Sequence, residues 1–367
     1  MNKLIYLTLL SGCITTTVAA KTIYNGDKID GVPVITKLDT SDLASGKIYR
    51  FMFKGVDMNI GQSWYVPVMV AKGNNSGSKL LLNTGIHGDE INGSKVIQNI
   101  FASLNPKQLN GTVVGVLQAS PNSLTHITRT WHLSTDGGFS EDMNRQFPGK
   151  EKGNTAQVHA YKLFNNLYLG NADYAIDLHT QSTDTAYPLF IYADYRLPAV
   201  QHLAELIPAD QIKIDDGKGD AGALENALDK ANIPTITLEI GEGRIYQPEL
   251  INRAIQGINN VMIDNKMIKG SIGLTASSYN TYIANDMVSV RAQVGGYAEI
   301  LVKIGDNVTT GQKIAIQRNP FGDIIKEYTA PISGKVLSVG TGATRENGGL
   351  LVRILTQNPD PKCKFGC

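Results

Sequence analysis

Leu80-Leu81-Leu82-Asn83-Thr84-Gly85-Ile86-His87-Gly88-Asp89-Glu90 is the stretch of sequence from which the fold can be inferred. Its apolar first half predicts a short buried strand that ends at Gly85. From Asn92 the pattern predicts a helix, because apolar residues recur on one face at Val96, Ile97, Ile100, Phe101 and Leu104. His87 and Glu90 therefore lie in a strand-to-helix turn, at the edge of the sheet where open α/β folds bind their ligands.

His87 and Glu90 are suited to binding a metal ion. An imidazole and a carboxylate three residues apart on a glycine-containing turn can converge on one cation, and Zn²⁺ accepts such a mixture of nitrogen and oxygen ligands. A catalytic zinc site uses three protein ligands, so a third ligand has to come from elsewhere in the chain.

Composition limits the classes of function. At 367 residues the chain is long enough for more than one domain, since about 150 residues per domain is usual. Its 34 basic and 33 acidic residues give a net charge of +1, which offers no electrostatic indication of nucleic-acid or anionic-membrane binding. Charged residues make up only 18% and glycines number 37, which is typical of a globular, loop-rich protein that contains β-structure.

The segment from Met1 to Ala20 predicts export from the cytoplasm. Lys3 is followed by an apolar run too short to span a bilayer, and Val18-Ala19-Ala20 offers small residues for cleavage. Alternatively, Leu10-Ser11-Gly12-Cys13 resembles a bacterial lipoprotein box, in which case a lipid on Cys13 would be the one predicted membrane attachment. Both interpretations predict a periplasmic or secreted protein, whereas a third makes the segment a buried N-terminal strand.

After this segment, the chain as far as Thr275 alternates between strand and helix patterns. Strand-like segments before and after the organising stretch are Lys47–Phe53, Trp64–Val70 and Gly111–Leu117. A helical pattern covers Ala156–Tyr168. Such alternation predicts an α/β fold with a mixed, mostly parallel sheet and helices on both of its faces.

A candidate third metal ligand ends another predicted strand, Asp173–Gln181. A lone histidine is more often structural than a ligand. His179, however, lies at a strand end, as His87 and Glu90 do, and would complete a three-ligand zinc site. Asp177 points to the same face of the strand and could fix the tautomer of one of the two histidines, or it could simply cap a turn.

The predicted strand Pro234–Gly241 contains an acidic residue, Glu239. Burial of this carboxylate among apolar neighbours would be costly without a partner. Beside a metal site it would suit a general base with a raised pKa. The alternative is a salt-bridged residue at the edge of the sheet.

A long polar connection, Gln118–Gly149, carries further candidate site residues. Loops of this length inside a compact domain are usually functional. Asn144 and Arg145 are suited to binding a carboxylate, because a guanidinium group can contact both oxygens while the amide adds a donor. On those two residues alone, a capping asparagine and a surface ion pair are the favoured explanation.

Four motifs occur in one order along the chain: His87-Gly88-Asp89-Glu90, Asp142-Met143-Asn144-Arg145-Gln146-Phe147-Pro148-Gly149, Asp177-Leu178-His179 and Leu238-Glu239-Ile240-Gly241. Together they resemble the succinylglutamate desuccinylase and aspartoacylase family, which is grouped with the zinc carboxypeptidases. The resemblance spans roughly residues 66 to 268, with 88 residues between Glu90 and His179.

The resemblance implies a zinc-dependent catalytic domain and a role for each site residue. It implies one Zn²⁺ per chain, bound by His87, Glu90 and His179. It also implies that Glu239 acts first as general base and then as acid, and that Arg129 polarises the carbonyl group of the substrate. Asn144 and Arg145 would hold a substrate carboxylate.

The C-terminal part has a different pattern from the rest of the chain. Short glycine-bounded strands predict an all-β, barrel-like unit over residues 285–357, after a catalytic domain over residues 21–275 that begins with a strand extension. The unit resembles lipoyl and biotinyl carrier domains in its segments Gly305–Gly311 and Ala330–Gly334. The hairpin that bears the modified lysine in those carrier domains is replaced here, so no cofactor attachment is predicted at Lys326. We expect the unit to act as a lid or assembly surface, followed by a tail over residues 358–367.

Two classes of function remain open from the sequence. The first is an exported zinc-dependent amidohydrolase that cleaves an amide next to a free carboxylate, either an N-acyl amino acid deacylase or a carboxypeptidase acting on peptides or cell-wall peptides. The second is a catalytically idle scaffold that binds a component of the cell envelope. The full set of ligands and a base favours the enzyme. Its predicted partner is a small-molecule substrate, and no oligomeric state is predicted.

Overall fold

The computed structural model describes residues 21–135, 137–218 and 221–367. The predicted export signal and Cys13 lie outside the described residues, and both stay predictions. Across the described ranges, no helix combines the length and the apolar character needed to cross a membrane.

The described residues begin with five strands, continue with helices and strands as far as α6, and from β13 onward contain strands without a further α-helix. The strands are β1 Ile23–Ile29, β2 Val32–Lys37, β3 Lys47–Asp57, β4 Ser63–Lys72, β5 Asn75–Thr84, β6 Asn110–Val116, β7 Trp131–Leu133, β8 Phe139–Glu141, β9 Tyr174–Gln181, β10 Thr185–Ala193, β11 Gln211–Ile214, β12 Thr235–Glu242, β13 Tyr282–Ala284, β14 Asp286–Arg291, β15 Gly296–Ile300, β16 Asn307–Val308, β17 Lys313–Arg318, β18 Ile324–Thr329, β19 Gly334–Gly340, β20 Thr344–Arg345 and β21 Leu350–Thr356. The α-helices are α1 Asn92–Ser103, α2 Pro121–His126, α3 Thr155–Leu163, α4 Pro198–Glu205, α5 Leu224–Lys230 and α6 Pro248–Asp264.

A large mixed sheet organises the molecule, in the order β1-β2-β3-β4-β6-β5-β9-β12-β10-β19-β21-β14. Its four central neighbours, β6, β5, β9 and β12, are parallel. The strands on either side of this centre, β4 and β10, pair with it antiparallel. The predicted α/β fold with a mixed sheet is therefore confirmed, and its parallel character is concentrated where the site residues lie.

Helices cover both faces of this sheet and bury an apolar core against each. On one face α1, α4 and α6 pack against the central strands through residues such as Ile97, Leu203 and Ile258. On the other face α3 and α5 contribute residues such as Leu163 and Leu228. The near-continuous apolar runs of β5, β9 and β12 follow from this double burial.

The C-terminal strands divide between two sheets. β18, β17, β15 and β20 form a separate antiparallel sheet, and its apolar residues share a core with residues of β19 and β21. β19, β21 and β14 instead extend the large sheet, because β10 pairs with β19 through Thr185 with Gly340 and Ala186 with Val339. The chain thus continues one sheet across the predicted boundary between the catalytic domain and the β unit. At the end of the chain, Cys363 and Cys367 form a disulfide.

The start of α1 approaches the sheet so closely that only glycine fits at position 93. A Cβ atom at Gly93 would lie 2.2 Å from Thr84 Oγ1 and 2.7 Å from Leu178 Cβ. The Thr84 hydroxyl also donates a hydrogen bond to the Leu178 carbonyl, which links β5 to β9 at their carboxyl ends. Because both strands deliver metal-site residues, this contact couples the position of α1 to the geometry of the site.

We expect Gly93→Ala to lower the free energy of unfolding by about 1 to 3 kcal/mol, because an added methyl group in a filled space displaces its neighbours. Equilibrium urea denaturation measures the change. Gly295→Ala is the matched control, since Gly295 is exposed and a Cβ there would meet no atom within 4 Å. Equal losses of stability in the two variants would show that the close approach at Gly93 is unimportant.

Candidate metal centre

The site lies at the carboxyl ends of three neighbouring parallel strands. His87 and Glu90 follow β5, while His179 lies in β9 and Glu239 in β12. In the register of the sheet, Glu239 pairs with His179, so both side chains emerge on the same face. The parallel order β5-β9-β12 therefore brings together residues that are far apart in sequence.

His87, Glu90 and His179 form one compact, buried cluster. His87 Nδ1 lies 2.7 Å from Glu90 Oε1, and His179 Nδ1 lies 2.8 Å from Glu90 Oε2. The two Nδ1 atoms are 3.2 Å apart, and all three side chains are at most 3% exposed. Among the described residues this is the group of histidine, cysteine and carboxylate side chains able to hold a metal ion.

The cluster fits one metal ion by its donor atoms. Two imidazoles and a glutamate are the ligands of several zinc hydrolases, and a further position then stays open for water or substrate. Nitrogens at zinc-ligand distance on neighbouring corners of a tetrahedron are about 3.3 Å apart. The observed 3.2 Å between the two imidazole nitrogens agrees with this value.

A carboxylate holds the far nitrogen of each imidazole. His179 Nε2 lies 2.8 Å from Asp177 Oδ2, and His87 Nε2 lies 3.1 Å from Asp142 Oδ1. Such carboxylate partners fix the tautomer and turn Nδ1 toward the shared point. The structure thus pairs Asp177 with His179. It also pairs His87 with Asp142, a residue to which the sequence analysis gave no role.

Backbone contacts fix the position of the turn between β5 and α1. The Gly88 N–H donates to the Thr128 carbonyl at 2.8 Å, and a Cβ at Gly88 would lie 2.0 Å from the Ser123 carbonyl atoms. A larger residue would push His87 away from the other ligands. On the opposite side, the Thr180 N–H donates to Glu90 Oε2 at 3.2 Å.

Arg129 lies against the cluster. Its Nη1 group is 3.1 Å from Glu90 Oε1 and 3.3 Å from His87 Nδ1, and its Nε atom donates to Asp142 Oδ2 at 3.2 Å. Nη1 also donates to Ser182 Oγ at 3.1 Å. The guanidinium group is therefore held beside the metal ligands, where it can donate to an oxygen of a bound substrate.

A carboxylate oxygen of Glu239 is buried without a hydrogen-bond donor. This Oε2 atom has no partner among the described residues, and the residue is 9% exposed. Burial, and next the nearby Glu90 carboxylate, raise the pKa of Glu239 to about 8. A buried carboxylate oxygen left without a partner is rare, and a carboxyl with a pKa near neutrality can accept and return a proton.

Asn144 and Arg145 lie on a short helical turn, Met143–Arg145, that faces the same cavity. Asn144 Oδ1 accepts a hydrogen bond from the Leu224 N–H at 2.9 Å, which directs the amide nitrogen to the other side. Arg145 Nη1 donates to the Asn144 carbonyl at 2.9 Å. The two residues predicted to bind a carboxylate are thus adjacent and line the site, within reach of a small ligand.

A cavity of about 490 Å³ opens above the cluster and includes residues that sequence reasoning missed. Arg291, Leu350 and Arg353 reach it from the C-terminal strands. Arg353 donates to Ser289 Oγ at 3.0 Å and to the Tyr187 hydroxyl, and no described carboxylate lies within 4.0 Å of it. No local motif marks these residues, because long-range contacts such as the pairing of β10 with β19 bring the C-terminal strands to the site.

Acidic side chains also line the cavity. Glu225, at the start of α5, and Asp215, after β11, both line it. The Thr237 hydroxyl donates to Glu225, and Lys213 Nζ lies 2.9 Å from Asp215 Oδ2. Neither acid belongs to a motif that the sequence singles out.

Comparisons with known proteins show which family the chain is similar to. The catalytic domain of the succinylglutamate desuccinylase/aspartoacylase family matches residues 76–264. The N-alpha-acetyl-L-2,4-diaminobutyric acid deacetylase of Halomonas elongata is 25% identical over 295 residues, which cover 76% of this chain and 80% of that protein.

Solved structures show the same fold. The product-bound ectoine utilization protein EutE (DoeB) of Ruegeria pomeroyi superposes with a TM-score of 0.74 at 21% identity, over 86% of this chain and 97% of that chain. A succinylglutamate desuccinylase/aspartoacylase from Rhodobacter sphaeroides gives the same TM-score and identity, over 88% and 98%. With the His-Glu-His cluster in place, the chain belongs to the succinylglutamate desuccinylase/aspartoacylase family and is a metal-dependent amidohydrolase of the deacylase type.

Proposed function

We propose that this protein is an exported zinc-dependent deacylase that removes the acyl group from small N-acyl amino acids. The observation that carries the proposal is the cluster of His87, Glu90 and His179 beside an unpartnered Glu239 oxygen in one cavity. The Halomonas elongata relative, a deacetylase of N-alpha-acetyl-L-2,4-diaminobutyric acid, supports a substrate of this class.

The walls of the cavity favour a small substrate over a long peptide. The C-terminal strands cover the site through Arg291, Leu350 and Arg353, while Asn144 and Arg145 close another side. A volume of about 490 Å³ suits a small molecule that is mostly enclosed. We therefore place the carboxypeptidase alternative second, since a peptide would have to extend past the C-terminal strands.

The cationic and amide groups of the cavity suit the free carboxylate of such a substrate. Asn144 has its Oδ1 atom occupied by the Leu224 N–H, which leaves the amide N–H₂ group to donate to a ligand. Arg145 adds a guanidinium group next to it, and bonds of this charge-assisted kind are the strong ones. Anchored there, the substrate would present its amide to Glu239 and Arg129.

The chemistry then follows from the positions of the side chains. When bound by the three ligands, zinc would supply a Lewis acid that polarises the scissile carbonyl and makes water more acidic. Glu239 accepts a proton from the attacking water at its unpartnered Oε2 atom and later delivers a proton to the leaving amine. Arg129, held by Asp142, donates to the oxygen on which negative charge develops.

The rival hypothesis, an idle envelope-binding scaffold, leaves the arrangement of Glu239 unexplained. A scaffold gains nothing from a buried carboxylate oxygen that lacks a donor, because its desolvation costs stability. Enzymes retain such groups because the same burial tunes the pKa for proton transfer.

Metal analysis tests the ligand assignment. We expect the purified protein to bind about one zinc ion per chain, and His87→Ala or His179→Ala to lose it, because a three-ligand site cannot spare a ligand. Elemental mass spectrometry measures the content. His202→Ala is the control, since His202 is exposed and pairs with Asp264. Full zinc occupancy in both ligand variants would contradict the assignment.

Replacement of Glu239 separates the enzyme from the scaffold. We expect Glu239→Gln to lower kcat by about 10²- to 10⁴-fold, because the amide keeps the shape of the side chain but cannot act as a base. Zinc content and melting temperature should hardly change. Glu242→Gln is the control in the same strand, since Glu242 instead accepts a hydrogen bond from Thr341. Wild-type turnover in Glu239→Gln would make Glu239 structural, and loss of zinc would make it a ligand.

Export is tested by the N-terminus of the mature protein. Expressed with its native start, the protein should begin near Lys21 or at a lipidated Cys13, because the segment before Lys21 has the pattern of a cleaved signal. Mass spectrometry of the envelope fraction distinguishes the two cleavage sites. An intact Met1 on protein from that fraction would exclude both.

A further inference from the structure

We propose that Glu225 binds a cationic amino group on the side chain of the substrate, so that this enzyme prefers N-acyl diamino acids to neutral N-acyl amino acids. The inference rests on the proposed deacylase function and names the substrate class within it. It gives a role to an acidic wall of the cavity that the deacylation chemistry does not use.

Glu225 is placed to meet a ligand. It lies in the first turn of α5 and lines the same cavity as His87, His179 and Glu239. Its hydrogen-bond partner among the described residues is neutral, the Thr237 hydroxyl, which orients the carboxylate. Among residues 21–135, 137–218 and 221–367, no lysine, arginine or histidine nitrogen forms an ion pair with Glu225.

The surroundings of Glu225 favour a cation. Asp215 lines the cavity nearby, and Asp229 and Asp177 add further negative charge. Burial, and then these three carboxylates, raise the pKa of Glu225 to about 8, against the effect of the Thr237 hydrogen bond. An ammonium group would relieve this cost, because an opposite charge at close range stabilises the ionised carboxylate. Lys213 does not supply this positive charge to Glu225, because its ammonium group pairs with Asp215.

The position of Glu225 beside β12 suits a short diamino acid. Thr237 and Glu239 are alternate residues on one face of β12, so their backbones are about 7 Å apart along the strand. Glu225 is hydrogen-bonded to Thr237, the neighbour of Glu239 on that face of the strand. A substrate whose second amine is separated from the α-nitrogen by a few carbon atoms can contact both.

Donor groups in the same cavity complete the selectivity. Asn144, Arg145 and Arg353 supply donors and positive charge, whereas Glu225 and Asp215 supply negative charge. A substrate that carries both a carboxylate and a side-chain ammonium matches this combination of charges. A substrate with an apolar side chain would leave the Glu225 carboxyl in a buried site without a charged partner, which costs free energy.

The test compares two substrates that differ in one amino group, N-α-acetyl-2,4-diaminobutyrate and N-acetyl-2-aminobutyrate. We expect the wild-type protein to favour the diamino substrate in kcat/KM by about 10- to 100-fold, the range of one charge-assisted contact. In Glu225→Gln the ratio should fall to near one. Glu249→Gln, which removes an exposed acid from the first turn of α6, should retain the wild-type ratio.

A second measurement needs only the wild-type protein, in case the variant does not fold. As competitive inhibitors, 2,4-diaminobutyrate should bind at least about 10-fold more tightly than 2-aminobutyrate. Equal inhibition, or a ratio that survives in Glu225→Gln, would overturn the role of Glu225 while leaving the deacylase intact. Failure of the zinc-loaded wild type to hydrolyse either substrate would instead overturn the proposed function, and the inference with it.

Discussion

Burial of Glu90 between two histidines is the interaction on which the rest of the structure depends. A carboxylate that is 2% exposed is costly to desolvate unless its oxygens are satisfied. Here Oε1 meets His87 and Arg129, while Oε2 meets His179 and the Thr180 N–H. Each imidazole in turn needs a partner at its far nitrogen. The cluster is stable only as a whole, because removal of any member leaves buried polar atoms unpaired.

The fold holds the residues of this cluster in position on rigid strands. Three neighbouring parallel strands end together, so the residues that follow or close β5, β9 and β12 meet without a long loop. Apolar cores on both faces fix the strands, and α1 approaches so closely that Gly93 has no room for a methyl group. Site residues carried on such elements are held more accurately than residues on loops.

Much of this could be predicted from the sequence, because local patterns encode it. The run before His87 and the periodicity after Asn92 predict the strand and the helix, and the structure has both at these positions. The pairing of Asp142 with His87 could not be inferred, since it depends on how the long connection after β6 folds back over the site. Arg353 was missed for the same reason, as periodicity carries no information about which distant strands pair.

Different parts of the chain supply the metal ligands and the outer charged residues of the cavity. The metal ligands and Glu239 belong to the ends of central strands, where a small displacement would disturb the whole buried cluster. Glu225 comes from α5 and Arg353 from the C-terminal strands, and within the described part of the chain they form hydrogen bonds with Thr237, Ser289 and Tyr187, none of which is a metal ligand. Substitutions at these outer positions change the charge that a substrate meets without unpairing the cluster. Under the proposed function, amide hydrolysis depends on the central strands, and the outer residues determine which amino acid is released.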